Sequence, residues 1–216
     1  MSLAKIFGRF FTKKTQNKTK VDIVIDAIKD AGSVSTISID KNGVLIVDGV
    51  PHGNEVDPNK TYVEIHIHGD VGTIAGHVNG SIHIEGSLNG DADASESIWV
   101  GRDINAEHVH ASDKLECDGS ITGNVETMES ITVGGDITGD VHASESVKVA
   151  GSITGNVEAS DSVGVEGDIN CDHFETMDSV KCRNIKCNDM HVSGDVHCND
   201  IDGNIHDAGE VHLKRG

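Results

Sequence analysis

The chain has 216 residues, of which 25 are Gly and 2 are Pro, and only 3% are aromatic. So few aromatic residues suit a narrow core whose inward positions hold Val, Ile, Ala or Cys. The formal net charge is −19, yet residues 1–20 carry six Lys or Arg residues and no acidic residue. The remaining, strongly acidic body repels nucleic acid, so no nucleic-acid partner is expected.

Residues 1–20 form a basic amphipathic segment. Its apolar residues recur at the spacing of one helix stripe and are Leu3, Ile6, Phe7, Phe10 and Phe11. Basic residues lie beside or beyond this stripe, at Lys5, Arg9, Lys13 and Lys14. Such a segment suits the interface of an anionic membrane, where many copies acting together would bind. The alternatives are a helix docked on a partner or on the body, and a disordered tail.

Residues 21–60 are predicted to form a small separate element, or a cap over the first coil of the body. The segment 21–31 is predicted to be a short helix with Gly32 as its stop, and one face of it carries Val21, Val24, Ile25 and Ile28. The next segment alternates apolar and polar residues on both sides of Asn42-Gly43, which predicts a β-hairpin. Residues 51–60 form a polar connector that contains both prolines.

The body is built from a sixteen-residue sequence repeat. SITVGGDITGDVHASE (Ser130–Glu145) is followed directly by SVKVAGSITGNVEASD (Ser146–Asp161). Apolar residues in each copy fall in pairs separated by one polar residue, which places both members of a pair on the same face of a strand. Three strands and three corners per copy predict one triangular coil of a β-solenoid, with coils stacked about 4.8 Å apart.

Apolar pairs sixteen or seventeen residues apart mark the successive coils from residue 61 to residue 216. The pairs are Ile65/Ile67, Ile82/Ile84, Ile98/Val100, Leu115/Cys117, Ile131/Val133, Val147/Val149, Val163/Val165, Val180/Cys182 and Val196/Cys198, with a last partial coil at Val211/Leu213. The fold predicted is therefore all-β, a single-stranded triangular parallel β-helix of about nine coils and roughly 40 Å length.

The chemistry of the last third favours a structural role for its Cys and His residues. Four of the five Cys residues and several His residues are concentrated there, but all five Cys residues fall at inward positions and His142, His197 and His212 at outward ones. No metal site and no cofactor is expected, because the two ligand types face opposite ways. The acidic residues Asp91, Asp93, Asp140 and Glu158 are interpreted as a solvated surface.

No residue receives a catalytic role. Corners of two or three residues leave no room for a cleft, so no enzyme activity is expected. The absence of a long apolar segment and of a secretory signal makes residence in the cytoplasm the expectation. An uncapped solenoid end would expose apolar side chains and unpaired strand edges, and so would template the addition of another chain.

The basic N-terminal peptide followed by coils of the form GSITGNVEAS and GDITGDVHAS resembles the bactofilins, bacterial cytoskeletal proteins that form polymers. The resemblance extends from about Val63 to Gly216, is most specific from Ser81 to Gly167, and includes residues 1–14. It implies a right-handed β-helix that polymerises end to end without nucleotide and often binds membrane through its N-terminal peptide.

The resemblance also assigns roles to residues. The membrane-inserting residues would be Leu3, Ile6, Phe7, Phe10 and Phe11, and the lipid headgroups would meet Lys5, Arg9, Lys13 and Lys14. The polymer faces would be the terminal coils around Ile65/Ile67 and Val211/Leu213. The partners implied are the chain itself, anionic lipids at the inner face of the cell membrane and a protein cargo.

A second hypothesis is a capped rod that does not polymerise. Such a rod, an adhesin or a phage or surface structural component, would bind a ligand along its outward columns. Residues 21–50 would then serve as its cap or as an oligomerisation module.

Overall fold

The structure, a computed structural model, describes residues 8–15, 18–26, 34–39, 45–52 and 61–214. All regular elements in these ranges are β-strands, which confirms the all-β prediction. Within the same ranges there is no helix with the length and apolar character needed to span a membrane.

Five strands precede the body. They are β1 (Gly8–Thr15), β2 (Lys18–Asp26), β3 (Val34–Ile39), β4 (Leu45–Val47) and β5 (Val50–His52).

Twenty-two short strands form the body. They are β6 (Thr61–His68), β7 (Val71–Ala75), β8 (His77–Val78), β9 (Gly80–Ile84), β10 (Ala92–Ala94), β11 (Ile98–Val100), β12 (Ile104–Ala111), β13 (Leu115–Cys117), β14 (Ile121–Thr127), β15 (Ile131–Val133), β16 (Ile137–Thr138), β17 (Val141–Ala143), β18 (Val147–Val149), β19 (Ile153–Thr154), β20 (Val157–Ala159), β21 (Val163–Val165), β22 (Ile169–Thr176), β23 (Val180–Lys181), β24 (Asn184–Val192), β25 (Val196–Cys198), β26 (Asp200–Asp207) and β27 (Val211–Leu213).

One coil of the body contains three strands, as the repeat predicts. In the coil 146–161 these are β18, β19 and β20, and each pairs in parallel with the equivalent strands of the neighbouring coils. The stack of β6, β9, β11, β13, β15, β18, β21, β23, β25 and β27 is called face 1 and defines about nine coils. The strands β12, β14, β22, β24 and β26 continue through the corner between the other two faces.

The core is a continuous column of inward side chains. Aliphatic residues and Cys dominate it, and equivalent positions of successive coils pair in register, as Ile131 does with Val147 and Val147 with Val163. The largest fully buried side chain is Phe174, which takes the place that Val157 holds one coil earlier. Because each layer contacts only its neighbours, stability accumulates coil by coil.

The first corner of the repeat carries a ladder of side-chain hydrogen bonds. The Ser120 hydroxyl accepts from the backbone N–H of Asp136 at 3.1 Å. The Asp136 carboxylate accepts from Ser152 N–H at 2.7 Å, and the Ser152 hydroxyl from Asp168 N–H at 3.1 Å. This ladder satisfies backbone donors that the strands leave unpaired, and it explains why the corner contains Ser or Asp, whose side-chain oxygens accept these hydrogen bonds.

The second corner has an equivalent ladder. The side chain of Asn124 accepts from Asp140 N–H at 2.9 Å, that of Asp140 from Asn156 N–H at 2.8 Å, and that of Asn156 from His173 N–H at 2.9 Å. Beside it lies a column of glycines, Gly139 and Gly155, with φ of 143° and 139°. A Cβ on Gly155 would lie 2.1 Å from the carbonyl oxygen of Gly139, so only glycine allows the coils to approach here.

The N-terminal region differs from its prediction. The helix predicted over residues 21–31 is wrong for residues 21–26, which belong to β2, and its remaining residues lie outside the described ranges. The helical stripe predicted from Leu3 to Phe11 is likewise wrong from Gly8 onward, because β1 is a strand. Its first three residues, Leu3, Ile6 and Phe7, lie outside the described ranges.

Strand pairing explains the difference. β1 and β2 are antiparallel over their whole lengths, and β2 pairs in parallel with β6, with Val21 opposite Val63 and Ile25 opposite Ile67. In the described sheet β2 gains backbone partners on both sides and β1 gains one, and this pairing overrides a short helical pattern of apolar residues. Face 1 therefore begins before residue 61, where the sequence pattern places its start.

The predicted hairpin around Asn42-Gly43 is confirmed in its strands, and its turn lies outside the described residues. β3 and β4 are antiparallel with Ile37 opposite Val47, and β5 returns antiparallel to β4 through a tight turn at Asp48-Gly49. β3 also pairs in parallel with β7, so this meander is joined to the solenoid.

Candidate assembly interface

The C-terminal end of the solenoid exposes its apolar core. Val211 and Leu213 in β27 are 43% and 48% exposed, whereas their register partners in β25, Val196 and Cys198, are 0% and 3% exposed. The same holds on the neighbouring face, where Ile205 in β26 is exposed and its partner Met190 is buried. The three exposed residues, Val211, Leu213 and Ile205, are called the end patch. The last coil thus presents the apolar positions that every earlier coil covers.

The end patch lies beside unpaired strand edges. In the described sheets β27 pairs only with β25, and β26 only with β24. An edge strand of this kind offers a row of free backbone donors and acceptors to an incoming strand. Apolar side chains and open hydrogen-bonding groups are therefore combined at one end of the molecule.

At the other end, the structure corrects the placement of Ile65 and Ile67. Both are fully buried, because β6 lies between β2 and β9. They are interior residues of face 1 and not the surface of a terminal coil. The described sheet ends instead at β1, which runs antiparallel to β2.

The predicted membrane-binding residues fall into two groups. Leu3, Lys5, Ile6 and Phe7 lie outside the described residues. Strand β1 contains the other five, which are Arg9, Phe10, Phe11, Lys13 and Lys14. Their assignment to lipid contacts stays a prediction.

The acidic residues predicted as a solvated surface are at the surface, but they also connect coils. Asp91 accepts hydrogen bonds from the backbone N–H groups of Glu107 and His108, each at 2.9 Å. Glu158 lies 3.0 Å from Nδ1 of His142 in the preceding coil. Much of the outward charge is thereby paired along the axis of the rod.

Asp93 lies between two imidazoles. Its carboxylate oxygens are 3.0 Å from Nδ1 of His77 and 2.9 Å from Nδ1 of His110. Partial burial alone would raise the pKa of Asp93, but the hydrogen bonds with His110 and His77 outweigh it and the pKa lies below its ordinary value. Three adjacent coils are linked at this point.

Trp99 belongs to a row of rings on face 1. Its ring stacks on His83 with a centroid separation of 4.1 Å, and His83 lies 5.4 Å from His66 in the coil before. Partial burial, followed by the nearby charge of His66, lowers the pKa of His83. The three rings form an outward aromatic ladder over β6, β9 and β11.

An open groove of about 890 Å³ runs along face 1 further towards the C-terminus. Gly164 lines the groove and lies in register between Lys148 and Lys181 of the adjacent coils. The groove is open and of mixed charge, because its lining contains Lys148, Lys181 and Arg183 together with Glu116, Asp118 and Glu166.

The five cysteines are free thiols and face the interior or lie close to it. Burial raises the pKa of Cys117 to about 11 and that of Cys182 to about 12, and it raises the pKa of Cys171 and Cys198 as well. The thiols of Cys117, Cys171, Cys182 and Cys198 therefore stay protonated near neutral pH. The predicted separation of inward Cys from outward His142, His197 and His212 agrees with the burial of these residues.

The parallel stack of coils, with its hydrogen-bond ladders at the corners and its exposed apolar end, defines a β-solenoid rod. Residues 100–183 of this rod match the bactofilin family, which is described as polymer-forming cytoskeletal. The match confirms the resemblance in the sequence over the most regular coils. No curated protein and no solved structure matches the chain.

Proposed function

We propose that this protein is a non-enzymatic cytoskeletal scaffold that assembles end to end through its solenoid and associates with the membrane through its N-terminal segment. The observation that carries end-to-end assembly is the end patch, because Val211 and Leu213 are exposed where Val196 and Cys198 are buried. A second copy stacked on β27 and β26 would cover both the patch and the strand edges.

The free energy gained by burying the end patch is not sufficient by itself to hold two copies together. Fully burying a Val, Leu or Ile side chain gains about 1.5–3 kcal/mol, and the three residues of the end patch are already about half covered. Their combined gain of a few kcal/mol is offset by an association cost of about 4–15 kcal/mol. The backbone hydrogen bonds of the edge strands, each worth about 0.5–1.5 kcal/mol net, supply the remainder.

Charge opposes assembly and makes it depend on salt. Copies with a formal net charge of −19 repel one another at low ionic strength. The screening length falls from about 30 Å at 0.01 M salt to about 8 Å at 0.15 M. Filaments are therefore expected to form more readily at 0.15 M salt.

The assembly test is negative-stain electron microscopy with sedimentation of the full-length protein and of Leu213→Lys. The substitution places a charge in the end patch, so filaments are expected to disappear while discrete rods remain. Met177→Lys is the matched control, because Met177 is 65% exposed on the side of the rod. Filaments that survive Leu213→Lys, or are lost equally in Met177→Lys, would contradict assembly through this end.

The membrane proposal is supported by the sequence of residues 1–14, which combines five bulky apolar residues with four basic ones. On this proposal the protein acts in the cytoplasm, at the inner face of the cell membrane. Co-sedimentation with anionic vesicles, compared with zwitterionic ones, tests the idea. Binding is expected only to anionic vesicles and is expected to vanish when residues 1–14 are deleted. Equal binding after the deletion would exclude this segment as the anchor.

The second candidate is a non-polymerising binding rod, which the groove at Gly164 favours. In that case a partner, and not a second copy, would use the outer columns of the molecule. Discrete rods at high protein concentration in 0.15 M salt, with no filament in the wild-type protein, would favour it over the scaffold.

A further inference from the structure

Ionisable side chains from two adjacent strands converge on the outer surface of the last coils. Asp189 and His191 point outward from β24 on either side of the buried Met190. The adjacent strand β26 supplies His206. Its register slips at this point, because Met190 lies opposite Ile205 while His191 lies opposite Asp207.

The slip is a β-bulge that leaves His206 as the extra residue of β26. A bulge re-aims the side chain that it carries. Here it directs His206 towards Asp189, and Nε2 of His206 contacts Oδ1 of Asp189. Nε2 of His191 lies 3.8 Å from the same oxygen, and the two imidazole rings stack with centroids 4.8 Å apart.

The three side chains offer their ligand atoms to one point. One donor atom from each of Asp189, His191 and His206 lies within 4.8 Å of the others. Two imidazole nitrogens and one carboxylate oxygen are a typical donor set for zinc, whereas calcium and magnesium prefer oxygen ligands alone.

The surroundings orient the ligands. Oδ2 of Asp207 lies 3.4 Å from Nδ1 of His191. In the tautomer that carries the ring proton on Nδ1, this contact is a hydrogen bond to Asp207 and the Nε2 lone pair is free for a metal ion. A carboxylate behind a ligating imidazole is the usual second partner of a zinc-bound histidine. His173, from the preceding coil, lies 3.8 Å from the other oxygen of Asp189 through its Nδ1.

We propose that Asp189, His191 and His206 bind a divalent transition-metal ion of the zinc type. Water occupies the remaining coordination position, since all three ligands are partly exposed. The ion joins β24 to β26, and most of β26 is exposed to solvent. Metal binding therefore fastens the last coil to the body of the rod.

The first test is titration of the full-length protein with zinc chloride in competition with a chromophoric chelator. His191→Ala and His206→Ala are each expected to weaken zinc binding at least about 10-fold, and Asp207→Asn about 10-fold. His142→Ala, which removes an outward imidazole paired with Glu158, is the matched control and is expected to leave affinity unchanged.

A second group, Asp195, His197 and His212, also brings ligand atoms together, so His212→Ala is included. Zinc binding that is lost in His212→Ala and retained in His206→Ala would overturn the assignment. A wild-type protein that binds no zinc even in large molar excess of the metal would overturn it as well.

Two further readouts exclude other origins. Cobalt(II) bound to the wild-type protein is expected to lack an intense thiolate charge-transfer band, and such a band would place the metal on cysteines and refute the site. Hydrogen exchange of the β26 amides is expected to slow when zinc is added, in the wild-type protein but not in His206→Ala. Unchanged exchange in the wild-type protein would contradict fastening of the last coil. None of these measurements depends on filament formation.

Discussion

At the scale of single residues, the glycines of the second corner set how closely the coils stack. Gly155→Ala forces an alanine to a φ of 139° and aims its Cβ at the carbonyl of Gly139, 2.1 Å away. A strained backbone of this kind costs about 1–3 kcal/mol, and with the steric contact added the expected loss of unfolding free energy is about 3 kcal/mol. Urea denaturation followed by circular dichroism measures it.

Gly164→Ala is the control for that substitution. A Cβ at Gly164 has no neighbour within 4 Å and the residue lies in a regular strand. The expected change is within about 0.5 kcal/mol. Equal losses in the two variants would show that the second corner has no special need for glycine.

Asp168 and Arg183 form a two-pronged ion pair, with N–O distances of 2.8 and 2.5 Å. The hydrogen bond with Arg183, more than any other cause, lowers the pKa of Asp168 from 3.8 to about 2. Because the folded-state pKa is depressed, the pair stabilises the fold above pH 3.8, and this contribution is lost as the pH falls through about 2.

A carboxyl-carbon NMR titration measures this pKa directly. In Arg183→Ala the pKa of Asp168 is expected to rise towards 3.8, whereas in Lys148→Ala, which removes a charge from the middle of face 1, it is expected to stay near 2. A pKa for Asp168 that does not respond to Arg183→Ala would exclude the ion pair as its cause.

At the scale of elements, the later coils depend on larger side chains than the regular ones. Phe174 is fully buried in β22, between Val157 and Met190 in register. Phe174→Ala is expected to lower the free energy of unfolding by about 3–5 kcal/mol, because it leaves a cavity that adjacent coils cannot fill.

The matched control is Met177→Ala in the exposed corner that follows β22. Its expected effect is within about 0.5 kcal/mol, because Met177 is 65% exposed. Hydrogen exchange identifies where the fold loosens, and the expected site is the stretch of coils around β22. A loss below about 1 kcal/mol in Phe174→Ala would contradict a tightly packed layer there.

The same scale shows what the sequence predicts well. The alternation in Val147/Val149 and Val157/Ala159 specifies strands that are buried on one face, and every coil repeats it, so the solenoid follows from the pattern. The helical spacing of Phe7, Phe10 and Phe11, by contrast, predicts a helix where the chain forms β1. The strand form of β2 depends on pairing with β6, a contact over some forty residues that local periodicity does not contain, and β1 in turn pairs with β2.

The cluster at Asp189, His191 and His206 escapes sequence analysis for a related reason. The sequence places the histidines outward and the cysteines inward, which correctly separates those two ligand types. It does not contain the bulge in β26 that turns His206 towards Asp189. One sequence signal could have indicated the cluster: His and Asp residues recur at nearby positions in consecutive coils. Such residues can contact one another across adjacent strands.

At the scale of the whole molecule, the two ends are different. The C-terminal end continues the parallel stack and is open, while the described N-terminal end finishes in the antiparallel strand β1. On the proposal of end-to-end assembly, we expect a second copy to stack at β27. The acidic sides of the rod disfavour side-by-side bundling at low salt, so single filaments are the expected form.

Fibre diffraction, or cryo-electron microscopy, of wild-type filaments tests end-to-end assembly most directly. If coils continue from one chain to the next, the strands run perpendicular to the filament axis and a meridional reflection appears at about 4.8 Å. The 12 strands of the longest sheet then predict an axial length of about 58 Å per chain. A spacing of about 4.8 Å perpendicular to the filament axis, or chains joined by their sides, would contradict assembly through the solenoid ends.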